Sequence, residues 1–567
     1  MNDAGSAPPP RTRAGVGRPS TATLTGLGIG VVVAVYAVLA WDRRWIADDG
    51  LIVVRTAREI LAGNGPVYSP FERAESSTST LWVWLVAACG SLLSGNLAQI
   101  AVAAGGVLAV AGFAVAVDAA RRCQRASGAT GVLVPAGALV ILAVFPFWDF
   151  ATSGLETGLS IAWLAASWWW LRALQPDTPA RPLVGFAVLV GLGPLVRPDF
   201  AIVTAVFLVA GWVITRPAWR RTLGLVAAAA AVPLAYEVFR AGYYGTLVPL
   251  PALAKSASGA EWARGLEYAL RFIKPHLLYV PLALLALAAG RSLPRQRVVV
   301  AAPIIAGLLL AVFVVRVGGD FMHGRLLLPS TLLLVSPIMV LPLHRLTAIV
   351  LPLVAAWGLY VSIGFYTGAR RAPSDERLGY TRYTGQRNPT TEDAYIPVPW
   401  QLAPRVAEAL RTGQRRLLTE GGKNHALGTA HAAAIAVAMG HLGLGGAIAP
   451  LDGIVIDVFG LANPLGARIT RTQPGRIGHE KNLPWAWVLA DFADPADPEL
   501  ATAAPPAAIA AARHALTCGD IAELLASVRD PLTAARFWAN LTGALRRTRL
   551  VIPADPIEAE RTFCPRS

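Results

Sequence analysis

The stretch Leu24–Arg55, LTGLGIGVVVAVYAVLAWDRRWIADDGLIVVR, decides the fold. Its first part, Leu24–Trp41, is an apolar run of the length that crosses a bilayer, and no small-residue cleavage site follows it. We therefore interpret this run as a first membrane span rather than a cleaved signal peptide. The Pro- and Arg-rich residues 1–22 predict a disordered cytoplasmic tail, which places Asp48 and Asp49 just outside the opposite face of the membrane.

Composition supports a membrane protein. The chain has 567 residues, of which 54% are hydrophobic and 15% are charged, whereas soluble domains average about 25% charged residues. This balance excludes an ordinary soluble enzyme and a disordered protein. The formal net charge is +15; in a membrane protein such an excess belongs to cytoplasmic loops, so the expected partner is the lipid bilayer and no nucleic acid is expected.

Topology follows from placing the Arg-rich loops in the cytoplasm. The run 81–93 is then too short to cross, and we assign it to an amphipathic helix on the outer surface, within a large first external loop over residues 42–97. A transmembrane domain over residues 23–366 results, and its odd number of crossings puts the C-terminus outside the cytoplasm. The eleven predicted spans are residues 24–41, 98–117, 129–147, 157–174, 183–196, 199–215, 222–237, 276–290, 298–316, 326–343 and 346–366.

Residues 367–567 have a different character and predict a soluble extracytoplasmic α/β domain. Polar residues, Pro and Gly increase, and the apolar runs 453–459 and 485–490 have the length of strands. Alanine-rich stretches at 404–416 and 501–516 predict helices between them. Because the predicted topology places this domain in an oxidising compartment, we expect Cys518 and Cys564 to form a disulfide.

Asp48 and Asp49 are the strongest candidates for chemistry. Two adjacent carboxylates at a membrane interface repel each other and lose hydration. Their presence there therefore requires a stabilising interaction or a function. One interpretation is a general base with a second carboxylate that orients a substrate or a cation. The alternative is an N-terminal capping pair of the helix predicted to follow them.

Further ionisable residues fall in loops that the topology places on the same outer side. They occur in Gly- or Pro-containing segments, where their shared location favours the handling of a polar head group. Each residue alone has a structural alternative, such as a helix cap or a cation that extends towards the membrane surface. The set comprises Arg55, Glu156, Arg197, Lys255, Asp320, His323, Arg325, His479, Glu480 and Lys481.

The first external loop resembles that of the GT-C glycosyltransferases, which are polytopic enzymes that use polyprenyl-phosphate sugars. The resemblance rests on residues 48–55 with the downstream motifs LAGNG and ERAESST. The segments 153–156, 195–198, 318–325 and 460–481 resemble one branch of these enzymes, the terminal β-(1→2) arabinofuranosyltransferases of mycobacterial-type cell-wall arabinan. The order and spacing of these motifs extend over most of the chain.

The resemblance implies a donor, an acceptor and roles for the candidate residues. The donor would be decaprenylphosphoryl-arabinose and the acceptor arabinan, at the outer face of the plasma membrane. Asp48 and Asp49 match the acidic pair of the family, with a divalent cation near them left open. External cations and their neighbours (Arg55, Arg197, Lys255, Asp320, His323, Arg325) would bind the donor phosphate, and Glu156, His479, Glu480 and Lys481 the acceptor.

Two alternatives remain open from the sequence. Another polyprenyl-phosphate glycosyltransferase, such as a mannosyltransferase, would share the same first loop. A lipid or sugar transporter would have internal repeats and broken helices with charges at mid-membrane. Here the charges lie at the ends of the predicted spans and no repeat is evident, which favours the enzyme.

Overall fold

The computed structural model describes residues 20–255, 259–290, 293–368, 374–397 and 402–564. Most of the predicted N-terminal tail, residues 1–19, lies outside these ranges. Within them the chain is mainly helical, with a helical region followed by a domain built on a four-stranded sheet. The predicted class, a polytopic helical membrane protein with a C-terminal α/β domain, is confirmed at this level, while the domain boundaries remain a prediction.

The helical region contains seventeen α-helices among the described residues and one short antiparallel pairing of two-residue strands, β1 (Leu133–Val134) with β2 (Leu341–Pro342). The helices are α1 (Thr21–Asp42), α2 (Asp48–Leu61), α3 (Thr80–Leu92), α4 (Leu97–Ala126), α5 (Ala138–Ala143), α6 (Pro146–Asp149), α7 (Thr157–Ala173), α8 (Ala180–Gly191), α9 (Gly193–Val196), α10 (Ala201–Thr215), α11 (Trp219–Tyr244), α12 (Leu250–Ala254), α13 (Trp262–His276), α14 (Tyr279–Ala289), α15 (Arg297–Arg316), α16 (Leu328–Val335) and α17 (Arg345–Tyr366). Single 3₁₀ turns precede α7, α10 and α16 and follow α16.

Fewer helices than predicted are long and apolar enough to cross a membrane. By length and composition, the described residues contain six such helices, built on α1, α4, α10, α11, α15 and α17; a seventh is added if α13 and α14, which meet at 75°, form one broken span. The predicted spans 129–147, 183–196 and 326–343 are instead chains of short elements. Prolines occur in each of these runs, but proline alone does not decide the breaks, since α11, α15 and α17 each contain an internal proline.

The C-terminal domain surrounds a sheet of strand order β4-β3-β5-β6. Strands β3 (Arg416–Thr419), β5 (Ile435–Met439) and β6 (Ile454–Asp457) are parallel, and β4 (Asn424–Ala426) pairs antiparallel with β3. The run 485–490, predicted as a strand, is a helix, because its apolar residues pack Trp487 into the core beside the sheet. The helices are α18 (Glu376–Thr384), α19 (Leu402–Arg411), α20 (Leu442–Ile448), α21 (Trp485–Phe492), α22 (Leu500–Ala503), α23 (Pro506–Ala515), α24 (Gly519–Arg529), α25 (Ala534–Arg549) and α26 (Pro556–Phe563).

The predicted disulfide is present. Cys518, which precedes α24, is bonded to Cys564 at the end of α26, and the two cysteines are 46 positions apart. A cross-link over a loop of this length restricts the unfolded chain and stabilises the domain by roughly 2–4 kcal/mol. The bond therefore fixes the last helix to the rest of the domain.

The two parts of the protein meet where α2 packs against α20. The helices begin together: the amide of Leu444 donates to the Asp48 carboxylate at 2.8 Å. Gly443 permits this approach, since a side chain there would collide with the backbone of Asp48. One turn further along, α2 and α3 bury Leu51, Trp82 and their neighbours in a shared core with β5 and β6.

Arg55 stabilises this contact at the other end of α20. Its buried guanidinium donates to the carbonyl oxygens of Ala449 at 2.8 Å, Pro450 at 2.9 Å and Leu451 at 3.1 Å, and to those of Gly446 and Tyr68. Glu59, one turn along α2, balances its charge at 2.8 Å. Arg55 thus connects the membrane-side helix to the outer domain.

Replacing Arg55 by Gln is expected to loosen the outer domain. Removing one member of a buried ion pair typically costs about 3–5 kcal/mol, because the other charge is left without compensation. We expect a lower melting temperature in detergent and faster proteolysis of the C-terminal domain. Arg58→Gln is the control, since Arg58 is partly exposed and lies 4.0 Å from Glu392; equal melting temperatures for the two variants would contradict the assignment.

Candidate functional site

Asp48 and Asp49 occupy the first turn of α2, and Ala47 is the N-cap residue. The Asp48 side chain accepts a hydrogen bond from α20 of the outer domain rather than capping its own helix. Burial raises the pKa of Asp48 to about 6; the positive charge of His441 opposes this rise and the neighbouring Asp49 adds to it. A carboxylate with this pKa can accept a proton near neutral pH.

The segment before α7 contacts this turn through a backbone hydrogen bond. The amide of Ala47 donates to the carbonyl oxygen of Ser153 at 2.9 Å. Three residues later, Glu156 accepts a hydrogen bond from Arg197 at 3.2 Å. Arg197 also donates to both carboxylate oxygens of Asp199 at 3.0 Å, so its guanidinium is held between two carboxylates.

Arg325 is the central cation of the site. Its guanidinium donates twice to one oxygen of Asp320, at 2.9 and 3.2 Å. Burial disfavours its charge, yet nearby carboxylates raise its pKa; in falling order these are Asp320, Glu156 and Asp49. Arg325 therefore connects the Asp48–Asp49 turn to the Glu156–Arg197 pair through its charge.

Lys255 and Asp320 complete the cationic side. Burial would raise the pKa of Asp320, but the charges of Arg325 and Lys255 hold it below the usual value. The Lys255 side chain packs over Gly478, which has no side chain of its own to prevent this contact. The charge of Lys255 in the loop after α12 thus acts on Asp320 in the loop after α15.

The two candidate histidines lie in separate aromatic clusters. The ring centroid of His479 lies 5.2 Å from that of Phe321 and 4.7 Å from that of Phe459. Burial and then the charge of Arg476 lower the pKa of His479, which favours the neutral ring. His323 instead belongs to a cluster of three rings with Phe145 and His276, in which each pair of ring centroids lies 5.4 to 5.5 Å apart.

Three predicted site residues make structural contacts instead of facing the carboxylates of Asp48 and Asp49. Arg55 is engaged by backbone carbonyl oxygens, as described above. Glu480 pairs with Arg264 at 2.6 Å, and the Lys481 ammonium donates to the carbonyl oxygens of Ala467 and Leu253 at 2.7 and 2.9 Å. Burial lowers the pKa of Lys481 to about 8, with Arg468 and Arg471 adding to the effect.

A cavity of about 150 Å³ opens beside Asp320 and His323. Three arginines line it that the sequence alone did not single out: Arg264 and Arg271 on α13, and Arg476 two residues before Gly478. The periodicity of α13 could have revealed the first two, because the helix is strongly amphipathic. The lining also includes Glu267, which pairs with Arg271, and Asp320, which is the partner of Arg325.

Two titratable residues near Asp48 and Asp49, Glu376 and His441, were also missed, and Asp457 lies near them in the structure. Glu376, the first residue of α18, interacts through its charge with Asp49 and Arg325. His441, which precedes α20, lies 3.5 Å from Glu420 and interacts with Asp48. Asp457, at the end of β6, accepts hydrogen bonds from the amides of Phe459 and Ala462, each at 2.8 Å. The sequence pattern around Glu376 carries no signal of this location.

A divalent cation near Asp48 and Asp49 remains a prediction. Within the described ranges, one set of three residues brings its ligand atoms within 4.8 Å of one another, namely His514, Cys518 and Cys564. Two of these form the disulfide, so this set is no metal site. Asp48 and Asp49 have no third ligand of that kind in the part of the chain that the structure describes.

Comparison with known proteins places this arrangement in a family. The chain is 35% identical to the terminal β-(1→2)-arabinofuranosyltransferase of Mycobacterium tuberculosis, over 94% of this chain and 96% of the relative. It is 31% identical to the protein of the same name from Corynebacterium glutamicum, over 100% of this chain and 92% of the relative. Residues 418–561 match the model of the AftB family C-terminal domain.

A solved structure also aligns with the chain. It is ArnT from Cupriavidus metallidurans bound to undecaprenyl phosphate, with 16% identity, a TM-score of 0.37, and coverage of 94% of this chain and 89% of ArnT. At that score the likeness decides nothing about fold or function. The two curated relatives match almost end to end, and so the chain belongs to the family of terminal β-(1→2)-arabinofuranosyltransferases, which are glycosyltransferases.

Proposed function

We propose that this protein transfers arabinofuranose from decaprenylphosphoryl-arabinose to the non-reducing ends of cell-wall arabinan, with formation of terminal β-(1→2) linkages. The names of its relatives supply the sugar and the linkage. The observation that carries the chemistry is the arrangement of charge: Asp48, a carboxylate of raised pKa, adjoins Asp49, and the charge of Asp49 acts on the buried Arg325. The same names favour arabinose over the mannose alternative.

Each side of this arrangement has one role in the transfer. The hydroxyl oxygen of the acceptor forms a bond to the anomeric carbon of the donor sugar, and the bond from that carbon to the phosphate oxygen breaks. Asp48 takes the hydroxyl proton. Negative charge grows on the departing lipid phosphate, and cations fixed beforehand in a poorly hydrated site stabilise it.

The arginine-lined cavity suits the phosphate of the donor. Arg271 is an exposed residue at its rim, and Arg476 lies over the ring of Phe321 at 6.0 Å. Guanidinium groups bind phosphate through parallel charge-assisted hydrogen bonds. Asp320 in the cavity wall pairs with Arg325 at 2.9 Å and is influenced by the charge of Lys255, so both cations are positioned near the leaving group beforehand.

Helix α13 offers the prenyl chain of the donor a path along the membrane surface. One face of the helix is buried and carries Tyr268, whose hydroxyl donates to the carbonyl oxygen of Met322 at 3.0 Å. An adjacent face exposes apolar residues at helical spacing, namely Trp262, Leu266, Leu270 and Ile273. An amphipathic helix of this kind lies in the interface plane of a bilayer, which would bring lipid to the rim of the cavity.

We place the site and the C-terminal domain outside the cytoplasm. The disulfide between Cys518 and Cys564 suits an oxidising compartment. Helix α4 begins near the outer domain, where Asn96 donates to Glu392 at 2.8 Å, and ends at a cluster of arginines, Arg121, Arg122 and Arg125. Such clusters remain on the cytoplasmic side of bacterial membranes, so the catalytic side faces outwards.

Replacing Asp48 by Asn tests the base. The amide keeps the shape and removes the basicity, so transfer in open membranes with lipid donor and arabinan acceptor should fall about 10²–10⁴-fold. In the native protein, transfer should rise as the pH increases through about 6, where Asp48 loses its proton. Asp452→Asn, at an exposed position of the outer domain, is the control; a folded Asp48→Asn protein with near-normal turnover would refute the assignment.

Replacing Arg271 by Gln tests the donor cavity. Loss of one charge-assisted hydrogen bond to phosphate should raise the KM for the lipid donor by about tenfold, with kcat at saturating donor nearly unchanged. Lys274→Gln is the matched control, because Lys274 lies on the same helix but does not line the cavity. If both variants have the native donor KM, the phosphate enters elsewhere.

A further inference from the structure

Glu376 is a carboxyl group at the site that none of the roles above uses. It is the first residue of α18, whose start is fixed by its neighbours: Asp375 accepts the amide of Leu378 at 2.9 Å. Arg377 donates to the carbonyl oxygens of Arg43 and Arg387 at 2.9 and 2.7 Å. The backbone at Glu376 is therefore held independently of what its own side chain does.

One oxygen of this side chain is buried without compensation. Glu376 Oε2 is inaccessible to solvent and has no hydrogen-bond partner among the described residues. Leaving such a group unsatisfied costs about 1–3 kcal/mol, and buried polar atoms in proteins are rarely left so. A neighbouring group that binds only during the reaction would supply the missing hydrogen bond.

The charges around Glu376 favour its protonated form. Asp48 and Asp49 face it from α2, Asp320 and Arg325 from the loop after α15, Tyr380 from its own helix, and Tyr395 from the turn after Glu392. Burial and then Asp49 raise the pKa of Glu376 well above its usual value, and Arg325 opposes them only in part. A neutral carboxyl group can donate a hydrogen bond as well as accept one.

We propose that Glu376 is a further substrate-contacting residue of the transfer site, and that its carboxyl group forms a hydrogen bond with an oxygen of the bound substrate. The partner is a sugar hydroxyl or a phosphate oxygen, since both accept a hydrogen bond from a neutral acid. This inference rests on the proposed transfer reaction. It adds a third carboxyl group to Asp48 and Asp49, and the chemistry of this group differs, because Glu376 donates a hydrogen bond whereas Asp48 takes a proton.

The test compares Glu376→Gln with Glu376→Ala. The Gln amide keeps a neutral donor, so transfer should stay within a few-fold of native, while Ala should lower kcat/KM about 10- to 100-fold. The native enzyme should also lose activity at high pH as Glu376 ionises, and Glu376→Gln should lack that alkaline loss. A raised donor KM in the Ala variant identifies a donor oxygen, and a raised acceptor KM identifies an acceptor hydroxyl.

Glu408→Ala is the control, because Glu408 is exposed on α19 and pairs with Arg411 at 2.7 Å. Native transfer by Glu376→Ala would overturn the inference. Equal losses in the Gln and Ala variants, accompanied by equally lowered melting temperatures and an unchanged pH profile, would overturn it too and leave Glu376 a structural residue. If the native protein and Glu408→Ala both fail to transfer arabinose, the proposed function itself is wrong.

Discussion

The parallel contact between α2 and α20 is the constraint on which the rest of the site depends. The amide of Leu444 donates to the Asp48 carboxylate at one end, and Arg55 donates to carbonyl oxygens just after the other end of α20. Glycine at 443 brings the two backbones close enough for both. A carboxylate that would otherwise extend into water at a membrane surface is thereby fixed and partly dehydrated, and this burial raises its pKa towards neutrality.

Burial of one carboxylate imposes a second requirement, which is the balance of charge around it. Arg325 and Arg197 are each held by carboxylates, at 2.9 Å from Asp320 and 3.0 Å from Asp199. These pairs keep cations in a poorly hydrated space where isolated charges would be costly. The remaining carboxyl groups, Asp48 and Glu376, respond by favouring protonation. The electrostatic properties of the site therefore belong to the group of residues and not to any single one.

Features that are local in sequence were predictable. The apolar run 24–41, the acidic pair after it, the short helix after Ser79 and the pairing of Cys518 with Cys564 all follow from composition, length and compartment. Asp320 and Arg325, which form an ion pair, also lie in a glycine-rich loop between apolar runs, and such a loop is a visible signal. In each case the physics operates within a few residues or through one covalent bond.

Features that depend on distant contacts were not predictable. Arg55 was expected at a phosphate, but its partners are carbonyl oxygens 391 to 396 positions further along the chain. Residues 485–490 are apolar enough for a strand, and only packing against the sheet decides for a helix. The span count differed because hydropathy does not distinguish a lipid-facing helix from short buried elements such as α5 and α16. Glu376 became visible only through the unsatisfied oxygen of its folded side chain.

The central claim is that the acidic turn of α2 and the cations around Arg325 face the same bound donor. The most direct test is a cryo-EM structure with a non-transferable analogue of the lipid-phosphate sugar. We expect phosphate oxygens at about 3 Å from Arg271 or Arg325. The anomeric carbon should lie between these arginines and the Asp48–Asp49 turn. Binding of the head group elsewhere, for example in the apolar groove between α8, α10 and α11, would contradict it.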